Sequence, residues 1–217
     1  MQSTPIPQWL FWAREIEAIA QTGMHFSTDE SQPDLGRIFD YQRYSRLMKI
    51  ASEIIAEHTD ISKSKILNSF QTEKGYATPK IDVRAAIFDG NMILLVQEKV
   101  DHCWSMPGGW ADVDEMPSKM IEREVLEESG IVAQAKKVVG IYDANHDREP
   151  LAVYHAYKII YLCEKTGGTL KGSDETVTAQ YFPIDQLPPF SGTRTDARHV
   201  QEAYQHYLDP NRLAYFE

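Results

Sequence analysis

The stretch GGWADVDEMPSKMIEREVLEESGI, residues 108–131, constrains the fold of this chain more than any other. Two glycines follow a strand-like run, and a helix-forming segment with Glu124, Glu127 and Glu128 follows the glycines. At about 100° per residue, these carboxylates fall within an arc of roughly 100° on one side of a helix. We therefore expect a strand, a glycine turn and an acidic helix whose three carboxylates converge on one point.

The crowding of these carboxylates has a cost that a bound cation would remove. Glu124 and Glu128 are like charges one helical turn apart, which destabilises an exposed helix by about 0.2–0.5 kcal/mol. Ile121 and Val125 form an apolar stripe beside them, so the glutamates border the body of the domain. Hard oxygen donors beside a glycine turn suit Mg²⁺ or Mn²⁺. The pattern favours a divalent-metal site, and a solvated acidic face is the alternative.

Nine residues of this stretch match every fixed position of the Nudix box, G-x5-E-x7-R-E-U-x-E-E-x-G-U, where U is aliphatic. They are Gly109, Glu115, Arg123, Glu124, Val125, Glu127, Glu128, Gly130 and Ile131. On these residues the chain resembles the Nudix hydrolase family. The resemblance implies an α+β domain, the Nudix αβα sandwich around a mixed sheet. It also implies hydrolysis of a nucleoside diphosphate linked to another moiety, by water attack at phosphorus with help from a divalent metal.

The resemblance assigns metal ligands by position. Glu124 and Glu128 correspond to metal ligands, joined by Glu127 and by the Gly108 carbonyl. The expected cofactor is Mg²⁺ or Mn²⁺. Metal ions that bridge a diphosphate can activate water and stabilise charge on the leaving oxygen.

Other residues complete the expected site. Arg123 corresponds to the box arginine, which orients the glutamates through ion pairs, and Glu115 corresponds to its structural partner. We assign catalytic roles to Arg123 and Glu127, and also to Glu175 as a general base or further metal ligand; a solvated loop acid is its alternative. Arg84 is a candidate phosphate contact, or else a surface arginine. His146 is a candidate substrate contact, or else a solvated loop residue.

The N-terminal third has helical patterning. Apolar residues recur at helical spacing over residues 7–21 and 37–57, and a short third helix is predicted over 62–70. Gly23 is the predicted stop of the first helix.

The N-terminal segments AREIEAIAQTGM and DYQRYSRLMKIASEII resemble a module found in one Nudix subgroup. Members of that subgroup are ADP-ribose or CDP-choline type pyrophosphatases and dimerise. Trp9 and Trp12 then belong to an interface or core, although either could stack on a base. We expect residues 1–71 to form a small N-terminal helical module for homodimerisation, and residues 72–217 to form the catalytic domain.

After Lys80 the apolar runs shorten and become strand-like, with Asp-Gly at 89–90 predicting a hairpin turn. The predicted strands are 81–88, 92–100, 102–106, 135–142, 152–162 and 178–182, and the predicted helices are 116–129 and 196–208.

Composition limits the partners. The formal charge is −10 and no basic tract occurs, which disfavours long nucleic acid. No run approaches the roughly 18 apolar residues of a membrane span, and two cysteines with no secretory signal favour a cytoplasmic protein. The expected partners are a small-molecule nucleotide and a second copy of the chain, without a membrane.

Two other functions stay open. A Nudix-like ligand-sensing protein would bind without catalysis, but the intact box weighs against it, as does the lack of a recognisable helix-turn-helix. A pyrophosphohydrolase acting on RNA ends or oxidised nucleotides would use the same chemistry. The loops that select the substrate carry no motif that identifies it.

Overall fold

A computed structural model describes residues 7–27, 35–73, 75–112, 114–144, 155–192 and 194–217. Contacts divide the chain into two compact units. One contains the residues before Lys80, and the other consists of Lys80–Ala144 and Ala156–Glu217. None of the described helices has the length and hydropathy needed to cross a membrane.

The first unit contains the helices α1 (Gln8–Ser27), α2 (Leu35–Glu57) and α3 (Lys63–Thr72). Its core is apolar: Leu10, Ala13, Ala20, Met48, Ala51, Ile55, Ile66 and Phe70. The prediction that Gly23 stops the first helix was wrong, because α1 continues to Ser27. The ring of Tyr44 lies where a side chain at Gly23 would stand, so this glycine allows α1 and α2 to pack closely.

The second unit contains a mixed sheet. Its strands are β1 (Lys80–Asp89), β2 (Met92–Glu98), β3 (Trp104–Ser105), β4 (Ile131–Asp143), β5 (Ala156–Gly168), β6 (Thr176–Pro183) and β7 (Tyr215–Phe216). The order is β3-β2-β1-β5-β4-β7, and β6 also pairs with β2. β1 runs parallel to β5 and β4 runs parallel to β7, whereas the other pairs are antiparallel. The sequence did not predict β7, and residues 152–154 of one predicted strand lie outside the described residues.

One helix packs on each face of the sheet. Met120, Ile121 and Val125 of α4 (Pro117–Ser129) pack in a core with Val83 and Ala85. The next residues along β1 point the other way, so Ala86 and Phe88 share a second core with α5 (Ala197–Leu208). The predicted α+β sandwich with a mixed sheet is confirmed.

Candidate active site

A cavity of about 970 Å³ opens beside the glycine turn and α4. Its carboxylates are Glu98, Asp112, Glu124, Glu127, Glu128, Asp174 and Glu175. Its cations are Arg84, Arg123, Lys171 and Arg194. The cavity therefore contains the three carboxylates predicted to bind metal, Glu124, Glu127 and Glu128, together with Arg84 and Glu175. It also contains Glu98 and Arg194, which sequence reasoning missed.

The glycine turn lies directly against β1. Gly108 has a φ of 141°, and a Cβ there would lie 2.9 Å from the carbonyl carbon of Val83 and 3.0 Å from the Cα of Arg84. The Val83 N–H donates to the Gly109 carbonyl at 2.8 Å. The Gly108 N–H donates to Oε2 of Glu128 at 2.8 Å. The turn therefore joins β1 to the end of α4 through backbone atoms that a side chain would displace.

Glu128 is a buried carboxylate in this cavity. Burial raises the pKa of Glu128 to about 8, and the charges of Glu98 and Glu124 add to the rise, whereas Arg84 and the Gly108 N–H act against it. The protein groups around Glu128 therefore stabilise its ionised form poorly.

Arg123 links the second half of α4 to the segment that precedes the helix. Its Nη1 lies 3.0 Å from Oε1 of Glu124 and 2.8 Å from Oε2 of Glu127. Its Nε and Nη2 donate to the two carboxylate oxygens of Glu115 at 2.9 and 2.7 Å, and Nη2 also reaches Asp112 at 3.1 Å. The hydrogen bond from Arg123 lowers the pKa of Glu115. Arg123 thus forms the ion pairs expected of the box arginine, and its role in orienting Glu124 and Glu127 stays a prediction.

The predicted metal donors, which are Glu124, Glu127, Glu128 and the Gly108 carbonyl, fit a hard divalent cation. All its side-chain donors are carboxylate oxygens, and Glu124, Glu127 and Glu128 lie in the last turns of α4, where the helix dipole already disfavours negative charge. Burial also raises the pKa of Glu124, as do the charges of Glu127 and Glu175, although Arg123 opposes them. A cation among these groups would stabilise their ionised forms.

The structure does not bring the donors into one finished ligand set. Among the described residues, no three His, Cys, Asp or Glu side chains form a group that could hold a metal ion. Glu128 binds the Gly108 N–H, whereas Glu127 is exposed and pairs with Arg123. The shared metal site of Glu124, Glu127 and Glu128, with the Gly108 carbonyl, stays a prediction.

Arg84 is not a surface residue, so that alternative was wrong. Only 5% of Arg84 is exposed, and it lies on the sheet face opposite Val83 and Ala85. Its Nε and Nη2 each lie 3.0 Å from Oδ1 of Asp82, and its Nη1 donates to the Met106 carbonyl at 3.3 Å. The buried ion pair with Asp82 keeps the guanidinium in the cavity wall, where a phosphate contact stays a prediction.

Of the other two predicted residues, the structure describes Glu175 but not His146. Glu175 is exposed and lines the cavity, where its charge helps to raise the pKa of Glu124 after the larger effect of burial. His146 lies outside the described residues. Glu98 and Arg194 could not be recognised beforehand, because each is a single charged residue without a motif and only the folded chain brings it to the cavity.

The sandwich and this cavity fit an enzyme of the pyrophosphohydrolase class, and the comparisons with known proteins show that class. Residues 78–203 match the NUDIX domain, and residues 7–70 match the domain described as "UDP-X-like, N-terminal oligomerisation domain". The chain belongs to the Nudix hydrolase family. Nudix hydrolases generally use divalent metals.

Relatives are similar over both parts of the chain. The protein YjhB of Bacillus subtilis is 36% identical over 210 residues, which is 97% of each chain. A crystal structure of a UDP-X diphosphatase is 28% identical, covers 96% of this chain and 98% of that one, and has a TM-score of 0.60. A crystal structure of an ADP-ribose pyrophosphatase from Streptococcus suis is 37% identical, covers 64% of this chain and 100% of that one, and has a TM-score of 0.59.

Proposed function

We propose that this enzyme hydrolyses the pyrophosphate bond of a nucleoside diphosphate linked to another moiety, with ADP-ribose as the leading substrate and CDP-choline next. The observation that carries the proposal is the cavity in which the Glu124, Glu127 and Glu128 carboxylates share one space with Arg84 and Arg194. The Streptococcus suis relative, named as an ADP-ribose pyrophosphatase, supports the choice of substrate.

We propose Mg²⁺ or Mn²⁺ as the cofactor, held by Glu124, Glu127, Glu128 and the Gly108 carbonyl. When bound, the metal neutralises the diphosphate and activates water. The chain's own groups do the rest. Arg123 fixes the directions of Glu124 and Glu127, and the Gly108 N–H fixes that of Glu128.

The remaining roles are also proposals. Glu127 and Glu175 are the candidates to take the proton from the attacking water, since both are exposed carboxylates of the cavity. Arg84 contacts a phosphate of the substrate. His146 contacts the substrate from a segment outside the described residues. The division into residues 1–71 and 72–217 and the cytoplasmic location stay predictions.

A substrate panel tests the function. With Mg²⁺ or Mn²⁺, the purified chain is expected to convert ADP-ribose into AMP and ribose 5-phosphate, and to do so faster than it cleaves CDP-choline, UDP-linked sugars, oxidised nucleoside triphosphates or a 5′-capped RNA. Mass spectrometry identifies the products, and ¹⁸O-water locates the attacked phosphorus. Removal of metal with EDTA is expected to abolish turnover, and added metal to restore it. Binding without hydrolysis of any member would instead identify a sensor.

We also propose that the N-terminal module makes the enzyme a homodimer. Trp12, Ile19 and Phe26 recur every seven residues along α1 and are 58%, 55% and 65% exposed. Such spacing puts the three side chains in one apolar strip that a helix of a second copy can cover. The match of residues 7–70 to an oligomerisation domain supports the proposal.

Light scattering at micromolar concentration is expected to give twice the chain mass of 24.8 kDa. Trp12→Glu places a charge in the apolar strip and is expected to give monomers. Val100→Glu makes the same kind of change at a site of the second unit that is also exposed, and is expected to stay dimeric. A wild-type monomer would contradict the proposal.

A further inference from the structure

A completely buried lysine lies behind the cavity. Lys158 of β5 is directly opposite Asp82 in the register with β1, and its side chain has no exposed surface. Its Nζ lies 2.7 Å from Oδ2 of Asp82 and also donates to the backbone carbonyl of Arg194. A buried ammonium is costly unless charge and hydrogen bonds compensate it. Lys158 therefore connects two parts of the cavity wall that are far apart in the sequence, since it contacts both Asp82 and Arg194.

The first part is Arg84. Both oxygens of the Asp82 carboxylate are engaged, Oδ1 with Arg84 and Oδ2 with Lys158. Burial acts to raise the pKa of Asp82, but the charges of Arg84 and Lys158 outweigh it and hold this pKa below its ordinary value. Asp82 is thus a fixed anion, and the position of Arg84 depends on it and indirectly on Lys158.

The second part is Arg194. Lys158 holds its backbone carbonyl, while its side chain, 31% exposed, reaches the cavity. There Nε lies 3.3 Å from Oε1 of Glu98, and Nη1 lies 3.9 Å from Oδ2 of Asp101. These ion pairs are longer than those of Arg123, which lie between 2.7 and 3.1 Å. Nη1 of Arg194 also donates to the Ser191 hydroxyl at 3.2 Å. The carboxylate partners of Arg194 are therefore held less closely than those of Arg123, and its guanidinium can exchange one of them for a phosphate.

Glu98 connects the two arginines on the cavity side. It is buried, receives the Ser105 hydroxyl on Oε1, and interacts electrostatically with Arg84 as well as with Arg194. On the cavity side, Arg84 and Arg194 thus both interact with Glu98. Away from the cavity, Lys158 binds the backbone carbonyl of Arg194 directly and Arg84 through Asp82. A guanidinium group can donate hydrogen bonds to phosphate oxygens, so two of them lining one cavity suit the two phosphates of a diphosphate.

We propose that Arg194 binds the diphosphate of the substrate together with Arg84, and that Lys158 is the positioning residue that sets both arginines. The proposal rests on the proposed function for its substrate, a nucleoside diphosphate. The acidic face of α4 and this wall then hold the same diphosphate from two sides, one through metal and the other through guanidinium groups.

The variant Arg194→Gln tests whether Arg194 binds the diphosphate. The probe is methylenediphosphonate with Mg²⁺, a diphosphate analogue that cannot be hydrolysed. Isothermal titration calorimetry is expected to show that its Kd rises about tenfold, because a charge-assisted hydrogen bond is lost. With the best substrate of the panel, KM is expected to rise while kcat changes little. Arg198→Gln makes the same substitution on α5, where Arg198 pairs with Glu217 outside the cavity, and is expected to leave Kd unchanged. An unchanged Kd in Arg194→Gln would overturn the proposal.

Lys158→Met tests the positioning role, because it removes the buried ammonium, keeps a similar volume and leaves Asp82 paired with Arg84. This variant is expected to fold, to weaken probe binding as much as Arg194→Gln does, and to make a subsequent Arg194→Gln nearly silent. A folded Lys158→Met variant that binds the probe normally would overturn the positioning role, and so would one that fails to fold, which would assign Lys158 to stability alone. Probe binding is measured without turnover, so a wild type that hydrolyses no substrate would refute the proposed function and leave this test intact.

Discussion

Glu128→Gln is expected to lower kcat by about a hundredfold or more, because metal-assisted stabilisation of the transition state contributes several kcal/mol. The variant is expected to stay folded, since the glutamine oxygen can still accept the Gly108 N–H that now donates to Glu128 at 2.8 Å. Steady-state kinetics with the best substrate, together with circular dichroism, measures both effects. Glu124→Gln is expected to give a similar loss.

Glu122→Gln is the matched control. Glu122 lies on the same helix, pairs with Lys119 at 2.7 Å and does not line the cavity. Its replacement removes the same charge, and the glutamine oxygen can still accept the Ala135 N–H that now donates to Glu122 at 3.1 Å, so kcat is expected to stay within about twofold of wild type. Near-normal turnover in both Glu128→Gln and Glu124→Gln would refute the metal site.

Glu128→Gln is also expected to stabilise the metal-free protein at alkaline pH. The folded chain raises the pKa of Glu128 from 4.5 to about 8, chiefly through burial. Its contribution to stability is therefore fully present below pH 4.5 and is lost as the pH rises through about 8. In EDTA at pH 8, the variant is expected to unfold at a higher temperature than wild type, and at pH 5 by a smaller margin. Thermal unfolding measures the difference in unfolding temperature between the variant and wild type at both pH values. A larger difference at pH 5 than at pH 8 would contradict this prediction.

Gly108→Ala is expected to lower the free energy of unfolding by about 2–6 kcal/mol, the sum of backbone strain and steric overlap. The φ of 141° is one that residues with a Cβ rarely adopt. The new Cβ would also meet backbone atoms of Val83 and Arg84, which cannot move without disturbing β1. Urea unfolding measures the change, and the variant is expected to lose activity as well, since the turn holds Glu128.

Gly109→Ala separates this effect from the general loss of a glycine. A Cβ at Gly109 would lie 3.5 Å from a carboxylate oxygen of Glu124, which is an ordinary contact with the end of a side chain. Its stability is expected to stay within about 1 kcal/mol of wild type. If Gly108→Ala and Gly109→Ala lowered the free energy of unfolding equally, the close approach of β1 would not be the reason for a glycine at position 108.

The box residues were the most predictable part of the site. Their roles depend on spacing along one helix and its approach, so the chain itself brings Arg123 within reach of Glu127 one turn away. The strand-like runs after Lys80 and the helix between them predicted an α+β domain, and the resemblance to the Nudix family implied its αβα sandwich. Gly23 shows where such reasoning failed. A glycine near the end of a periodic run usually stops a helix, but here the partner helix determines its role through the ring of Tyr44.

The sequence by itself determined the family, the acidic helix and the glycine turn, because these depend on residues close together in the chain. Only the tertiary structure decided that Arg84 is buried and that Glu98 and Arg194 share its cavity. It also decided that Lys158 binds Asp82, 76 positions away in the chain and directly opposite on the neighbouring strand. Such contacts depend on parallel strand pairing and on the burial of charge. Both arise only when distant segments meet, which no local pattern of residues can specify.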